Sequence, residues 1–275
     1  MRTSLPISAL AVLVCMLAAG MVGAAPTQFT ENWESYTNGA TPYGSWQLQT
    51  GTWGSISTPG LGGGKCFSIA SNQKTRIQNA IDLDVHSHVA LQGWLLDSAG
   101  NNRSVLGLGR SATATDTTLI RMGAGGASTY TIQYYDGGPL IIVDTGLPVE
   151  AGWHFMRLDI SYDGNPANLW SVTWRIWNAA RTVENKGSFG WHFDKINCNY
   201  VTLGAAAATP SAVAWDDVKI GSLVDVGPPP EPWEVMLTAV ASSWTGDFYP
   251  ANAIDRNAGT VWSSAGHGAS ADATE

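Results

Sequence analysis

The stretch WSVTWRIWN, Trp170–Asn178, has a spacing of aromatic residues that could bind a sugar. Side chains alternate between the two faces of an extended strand. Trp170, Val172, Trp174 and Ile176 therefore share one face, and Ser171, Thr173, Arg175 and Trp177 share the other. The first face is apolar throughout and belongs to a core; the second is polar except for Trp177. A pyranose packs its C–H face on an aromatic ring while polar neighbours bond its hydroxyls, so Trp177 with Arg175 is a candidate platform. The other place for such a tryptophan is a sheet edge or the underside of a loop. Trp191, beside His192 in FGWHFD, is a second candidate of the same kind.

Other chemistries find less support. Hydrolysis of a glycosidic bond needs two carboxyl groups facing one another on a sheet. The acids that cluster with aromatics lie in WESY and WDD, near the two ends of the β-rich region. RMGAGGASTYTIQYY holds Arg121, Tyr130, Gln133 and Tyr134, residue types that a polysaccharide lyase would need on adjacent strands, but not in a known motif form. There is no Gly-x-Ser-x-Gly elbow and no run of histidines at metal-ligand spacing. His86 and His88 share one strand face without a third ligand. The chain is read as non-catalytic.

Composition sets the class. The 275 residues include 13 Trp and 31 Gly, only 13% are charged, and the formal net charge is −8. Few charges with many Trp, Gly, Ser and Thr suit an all-β extracellular protein. An acidic chain without a Lys/Arg cluster is a poor ligand for nucleic acid. Arg2 followed by an apolar run and small residues reads as a signal peptide over residues 1–25, which implies secretion. No other apolar run is long enough to span a membrane. Beyond that segment stand Cys66 and Cys198. An oxidising compartment allows them one disulfide; a β core would equally hold them as buried thiols.

The elements that must position these residues are short strands. HVALQGWLL, YTIQYY, LIIVDTG, WHFMRLDISYDG and WSVTWRIWN are separated by the turn formers SAGNN, DGG and DGNP. The expected fold is an antiparallel β-sandwich, a jelly roll, over residues 26–223. In the last strand Ala214, Asp216, Val218 and Ile220 should share the apolar face, so Asp216 needs a partner there. Pro228, Pro229, Pro230 and Pro232 make residues 224–234 a stiff linker, followed by a short module over residues 235–275.

The stretches FTENWESYTNGATP and VAWDDVKIG together resemble the ends of concanavalin A-like, laminin-G-like jelly rolls of secreted bacterial proteins. That resemblance implies that the first and last strands lie side by side. It also implies a structural calcium held by one acid from each end, here Glu34 and Asp216; the alternative is that Asp216 accepts bonds from backbone amides. ASSWTGDFYPANAIDRNAGTVWSS is similar to the opening of a discoidin (coagulation factor 5/8 type C) domain. By that resemblance Asp255, Asn257 and Thr260 would offer oxygens to a second calcium, although Arg256 replaces the family glycine. The module would be incomplete, a second β-sandwich begun but not finished. The expected role is lectin-like recognition of a polysaccharide or cell-surface glycan. The alternatives are accessory modules of a glycoside hydrolase or sialidase, or a structural or adhesive surface protein.

Overall fold

The computed structural model describes residues 25–83, 87–98, 103–110, 118–124, 128–136, 138–161, 170–192 and 198–227. The signal segment, His86, most of the linker, and the discoidin-like tail with Asp255, Asn257 and Thr260 lie outside them.

Alternating patterns and turn formers fold the chain into two antiparallel sheets packed face to face. Sheet I uses β1 (Phe29–Glu31), β3 (Ser55–Ser57), β4 (Cys66–Ile69), β6 (His88–Ser98), β11 (Ala151–Ser161), β12 (Trp170–Trp177), β13 (Glu184–Trp191) and β15 (Val213–Gly221). Their order is β13-β12-β11-β6-β15-β4-β3, with β1 also on β15. Sheet II uses β2 (Gln47–Gly51), β5 (Thr75–Ala80), β7 (Ser104–Gly109), β8 (Thr118–Gly123), β9 (Thr129–Tyr135), β10 (Leu140–Pro148) and β14 (Tyr200–Ala205). Its order is β10-β9-β8-β7-β14-β5-β2. A short helix, α1 (Leu223–Val226), follows the last strand. Among the described residues no helix is long and apolar enough to cross a membrane.

One core joins the sheets. Leu91, Leu158, Val172 and Trp215 come from sheet I, and Ile77, Leu106, Ile120 and Leu203 from sheet II; all are buried. The chain ends of the sandwich meet as expected, with Phe29, Thr30 and Glu31 opposite Ile220, Lys219 and Val218. Glu31 organises the entry: it accepts bonds from Trp33 N, the Tyr36 hydroxyl and Trp46 Nε1 at 3.0, 3.1 and 3.0 Å. Burial and the nearby Glu31 carboxylate push the Tyr36 phenol up.

Two expectations fail here. The register of β15 shifts between Asp216 and Lys219, and Asp217 takes φ +44°. This bulge breaks the two-residue period. Val213, Trp215, Val218 and Ile220 face the core, and Asp216 turns outward opposite Trp94. The disulfide does not form: Cys66 and Cys198 are both buried thiols. Cys66 lies on the outer side of sheet I, its sulfur 3.4 Å from the Ser57 hydroxyl, whereas Cys198 belongs to the core at the start of β14 in the other sheet. Burial pushes the Cys66 thiol up.

Candidate functional site

The aromatic platform expected on sheet I is roofed over. Trp177 faces outward, but it is only 1% exposed. Trp94 from β6 and Phe155 from β11 pack against it, with ring centroids 5.8 and 4.7 Å away, and Leu61 and Trp153 flank the cluster. Arg181 stacks its guanidinium 4.7 Å from the Trp94 ring. Arg175 and the Trp177 indole both bond the same Glu184 oxygen, at 3.1 and 3.3 Å. Trp191 does not present a face either. It is 1% exposed and donates its indole N–H to Tyr135 O in sheet II at 2.7 Å, pinning the two sheets together. Strand period assigned the face of Trp177 correctly but could not show the residues stacked above it.

Glu34 and Asp216 do come together, at one loop of sheet I. Asp216 accepts the Leu61 amide at 2.8 Å and the Asp217 amide at 2.7 Å. Glu34 accepts the Lys65 amide at 2.7 Å, and Lys65 Nζ bonds Glu34 O at 2.7 Å. Gly60 and Gly64 bracket that loop, and a Cβ on either would strike Asp216 Oδ2 or Glu34 Oε1. Burial lifts the Asp216 carboxyl to about 6 against the pull of its two amides, and Glu34 adds to the rise. Asp216 is buried and Glu34 exposed, and a pair of carboxylates beside a glycine cradle offers oxygen donors of the kind a hard cation takes, so these residues fit calcium in donor chemistry. Bound there, the ion would supply charge neutralisation between the two ends of the sandwich. Among the described residues no group of three or more His, Cys, Asp and Glu is placed to hold a metal.

The outer face of sheet II holds the most concentrated polar array. One transverse row crosses all seven strands: Ile142, Gln133, Arg121, Gly107, Thr202, Gln78 and Gln47. Two residues along, Thr131 stands opposite Gly123, and Gly204 stands opposite Arg76, which faces Thr50. The intervening residues Ile77, Ile120, Ile132 and Leu203 fill the core, which fixes these side chains on the outside. The middle of this face is low, since three of its positions are glycines. At Gly107, Gly123 and Gly204 a Cβ would overlap backbone of the neighbouring strand, and the last two have φ +151° and +136°. Such positions admit only glycine.

Arg121 and Gln133 bound this low strip on one side, and Arg76 and Gln78 on the other. Arg121 Nε donates to Gln133 Oε1 at 2.9 Å, and Gln133 Nε2 donates to Thr131 Oγ1 at 3.1 Å. Gln78 Nε2 donates to Gln47 Oε1 at 3.3 Å. Gln78 is fully buried, and its Oε1 has no hydrogen-bond partner among the described residues. An orphaned buried acceptor is costly, and it is commonly explained by a ligand or water that completes the site.

The four lyase-type residues noted in the sequence are split by this geometry. Arg121 and Gln133 face outward, whereas Tyr130 and Tyr134 belong to the core. Burial pushes both phenols up, with Asp97 adding to the rise at Tyr130 and Asp136 at Tyr134. Arg76, Gln78, Thr202 and Gln47 were missed in the sequence. The signal was clear in YVTLGA, where Thr202 and Gly204 alternate with apolar residues, and weak in TRIQNA, where Thr75 and Asn79 blur the alternation around Ile77.

No family model matches the chain, and no curated protein matches it. Solved structures similar to it include the alginate lyase Aly36B, at 12% identity and a TM-score of 0.44, covering 73% of this chain and 98% of that one. Arcelin-5, a lectin-like defense protein from Phaseolus vulgaris, is 10% identical with a TM-score of 0.48, over 72% of this chain and 98% of its own. The galectin LEC-6 of Caenorhabditis elegans is 8% identical with a TM-score of 0.36, over 56% of this chain and 95% of its own.

Proposed function

We propose that the chain is a non-catalytic, extracellular glycan-binding protein and that the outer face of sheet II is its binding surface. The observation that carries this reading is the polar row over a side-chain-poor floor, with Gln78 Oε1 buried and lacking an acceptor's partner. Amide and guanidinium side chains in a fixed row are suited to bond the hydroxyls of a sugar chain. The row itself contains no Asp or Glu, so a pair of carboxyls for glycosidic hydrolysis has no seat in it. Gln78→Ala tests the reading. The variant removes an unsatisfied acceptor but also the bond to Gln47 and a fully buried side chain, so it should cost about 1–3 kcal/mol and still fold. Affinity on glycan-impregnated gels should nevertheless fall at least about tenfold. Ser171→Ala, on the outer face of sheet I, should change neither.

We further propose that Glu34 and Asp216 hold calcium, a reading favoured by the glycine cradle around the two carboxylates. Without the ion, the folded Asp216 pKa of about 6 lies above its unfolded value near 3.9. The folded state then binds this proton more tightly, so the associated stability is present below about pH 4 and is lost as pH rises through about 6. Thermal melting with chelator should show this loss relative to Asp216→Asn, and calcium should remove it by favouring the carboxylate. Identical melting curves with calcium and with chelator would count against the ion.

A further inference from the structure

We infer that the free edge of sheet II is a self-association surface, on which two copies of the chain pair β10 with β10 antiparallel about a two-fold axis. β10 closes one end of the sheet and is paired with β9 alone. Over residues 140–143 that pairing is regular, with Leu140 opposite Tyr135 and Val143 opposite Ile132. Among the described residues nothing pairs with the other side of these four. Such a row of open N–H and C=O groups is a template for another strand, and proteins usually blunt it with Lys, Pro or a bulge. Here the four residues are Leu, Ile, Ile and Val, with Ile141 37% and Ile142 59% exposed. Pro139 lies just ahead of the strand, and the register shift and Pro148 come only beyond Asp144. The second half of β10 is engaged, since Asn185 Nδ2 donates to Thr145 O at 2.9 Å.

The partner these residues fit is a second copy. A chain of net charge −8 repels its own kind, so copies meet where charge is absent, and residues 140–143 carry none. Opposed residues of an antiparallel pair share a face, so a continuous sheet must set outer residues against outer ones. A two-fold axis through Ile142 does this. It places Ile142 opposite the partner's Ile142, Ile141 opposite the partner's Val143, and Leu140 opposite the partner's Asp144. The acid therefore never meets its own copy, and it is turned into its own loop, accepting the Gly146 amide at 2.8 Å. Ile142 is also the end of the transverse polar row and its one apolar side chain. Pairing there aligns the two rows into one strip of about 60 Å at the usual strand spacing. Two linked rows would hold one polymer with avidity. That benefit rests on the binding surface proposed above; the pairing itself does not. One strand pair is a small interface, so the association is weak and depends on concentration.

The test is sedimentation velocity of the full chain from micromolar to near-millimolar concentration. The chain should pass from monomer to dimer and stop there, because a two-fold pair is closed. Ile142→Lys sets two like charges face to face at the axis and should raise the dissociation constant at least about tenfold. Its melting temperature should stay that of the parent, since Ile142 is exposed. Val183→Lys, at an exposed apolar residue between β12 and β13, should leave the dimer unchanged. A monomer at every concentration, growth beyond a dimer, or a dimer indifferent to Ile142→Lys would overturn the pairing. If the pairing fails while Gln78→Ala still weakens retardation on glycan gels, the binding face stands alone. If the chain dimerises through Ile142 and no glycan retards it, the pairing stands and the binding face falls.

Discussion

Trp215→Ala should destabilise the sandwich by about 3–5 kcal/mol, enough to unfold much of the population of a domain of ordinary stability. Trp215 sits on β15 at the centre of sheet I and is fully buried in the shared core. Its indole N–H reaches across to Gly204 O in sheet II at 3.3 Å. Truncation therefore opens a cavity and strands a buried carbonyl on the strand that carries Thr202. Trp215→Phe keeps most of the packing and loses the bond, so about 1–2 kcal/mol is expected. Urea denaturation of the two variants separates these contributions. Equal losses for Phe and Ala would show that the hydrogen bond, not the ring, dominates.

Arg157→Ala should cost about 2–4 kcal/mol and free the chain that leaves the sandwich. This arginine is 2% exposed on the outer face of sheet I. Its Nε pairs with Asp159 at 2.7 Å, and one terminal nitrogen bonds Gln92 Oε1 and Gly227 O, both at 2.8 Å. The bond to Gly227 docks the end of α1 against β11 and β6. Loss of the guanidinium leaves Gln92, itself 3% exposed, with a buried acceptor to satisfy. Limited proteolysis should then cut after Ser222 faster than in the parent, with the sandwich otherwise intact at low denaturant. Unchanged cleavage would mean that α1 is held by other contacts.

The strands were legible because their side chains alternate cleanly, as in WSVTWRIW and HVALQGWLL, and the meeting of the two chain ends was legible in the bookend stretches. The bulge at Asp217 was not. One extra residue inverts the two-residue period, and nothing in VAWDDVKIG marks which Asp carries the positive φ. The same limit applies to Trp177. Alternation tells which side of a sheet a residue leaves from, but its burial comes from Trp94 and Phe155 on strands distant in sequence. The sheet II row is a product of register. Arg121, Thr202 and Gln78 stand in line only because β8, β7, β14 and β5 pair as they do, although their sequence positions span more than half of the described sandwich. Gly107 and Gly204 lie within strands where neighbouring backbone leaves no room for a Cβ, a close approach that only the pairing of the strands reveals.

The claim that sheet II is the binding face is tested most directly by side-chain NMR during titration with the polymer that retards the protein best. The account predicts that the amide NH2 signals of Gln47, Gln78 and Gln133 and the Nε–H of Arg121 shift together, while the indole signals of Trp177 and Trp191 stay in place. Shifts at the two indoles with the glutamine signals unmoved would place the ligand on sheet I and contradict it.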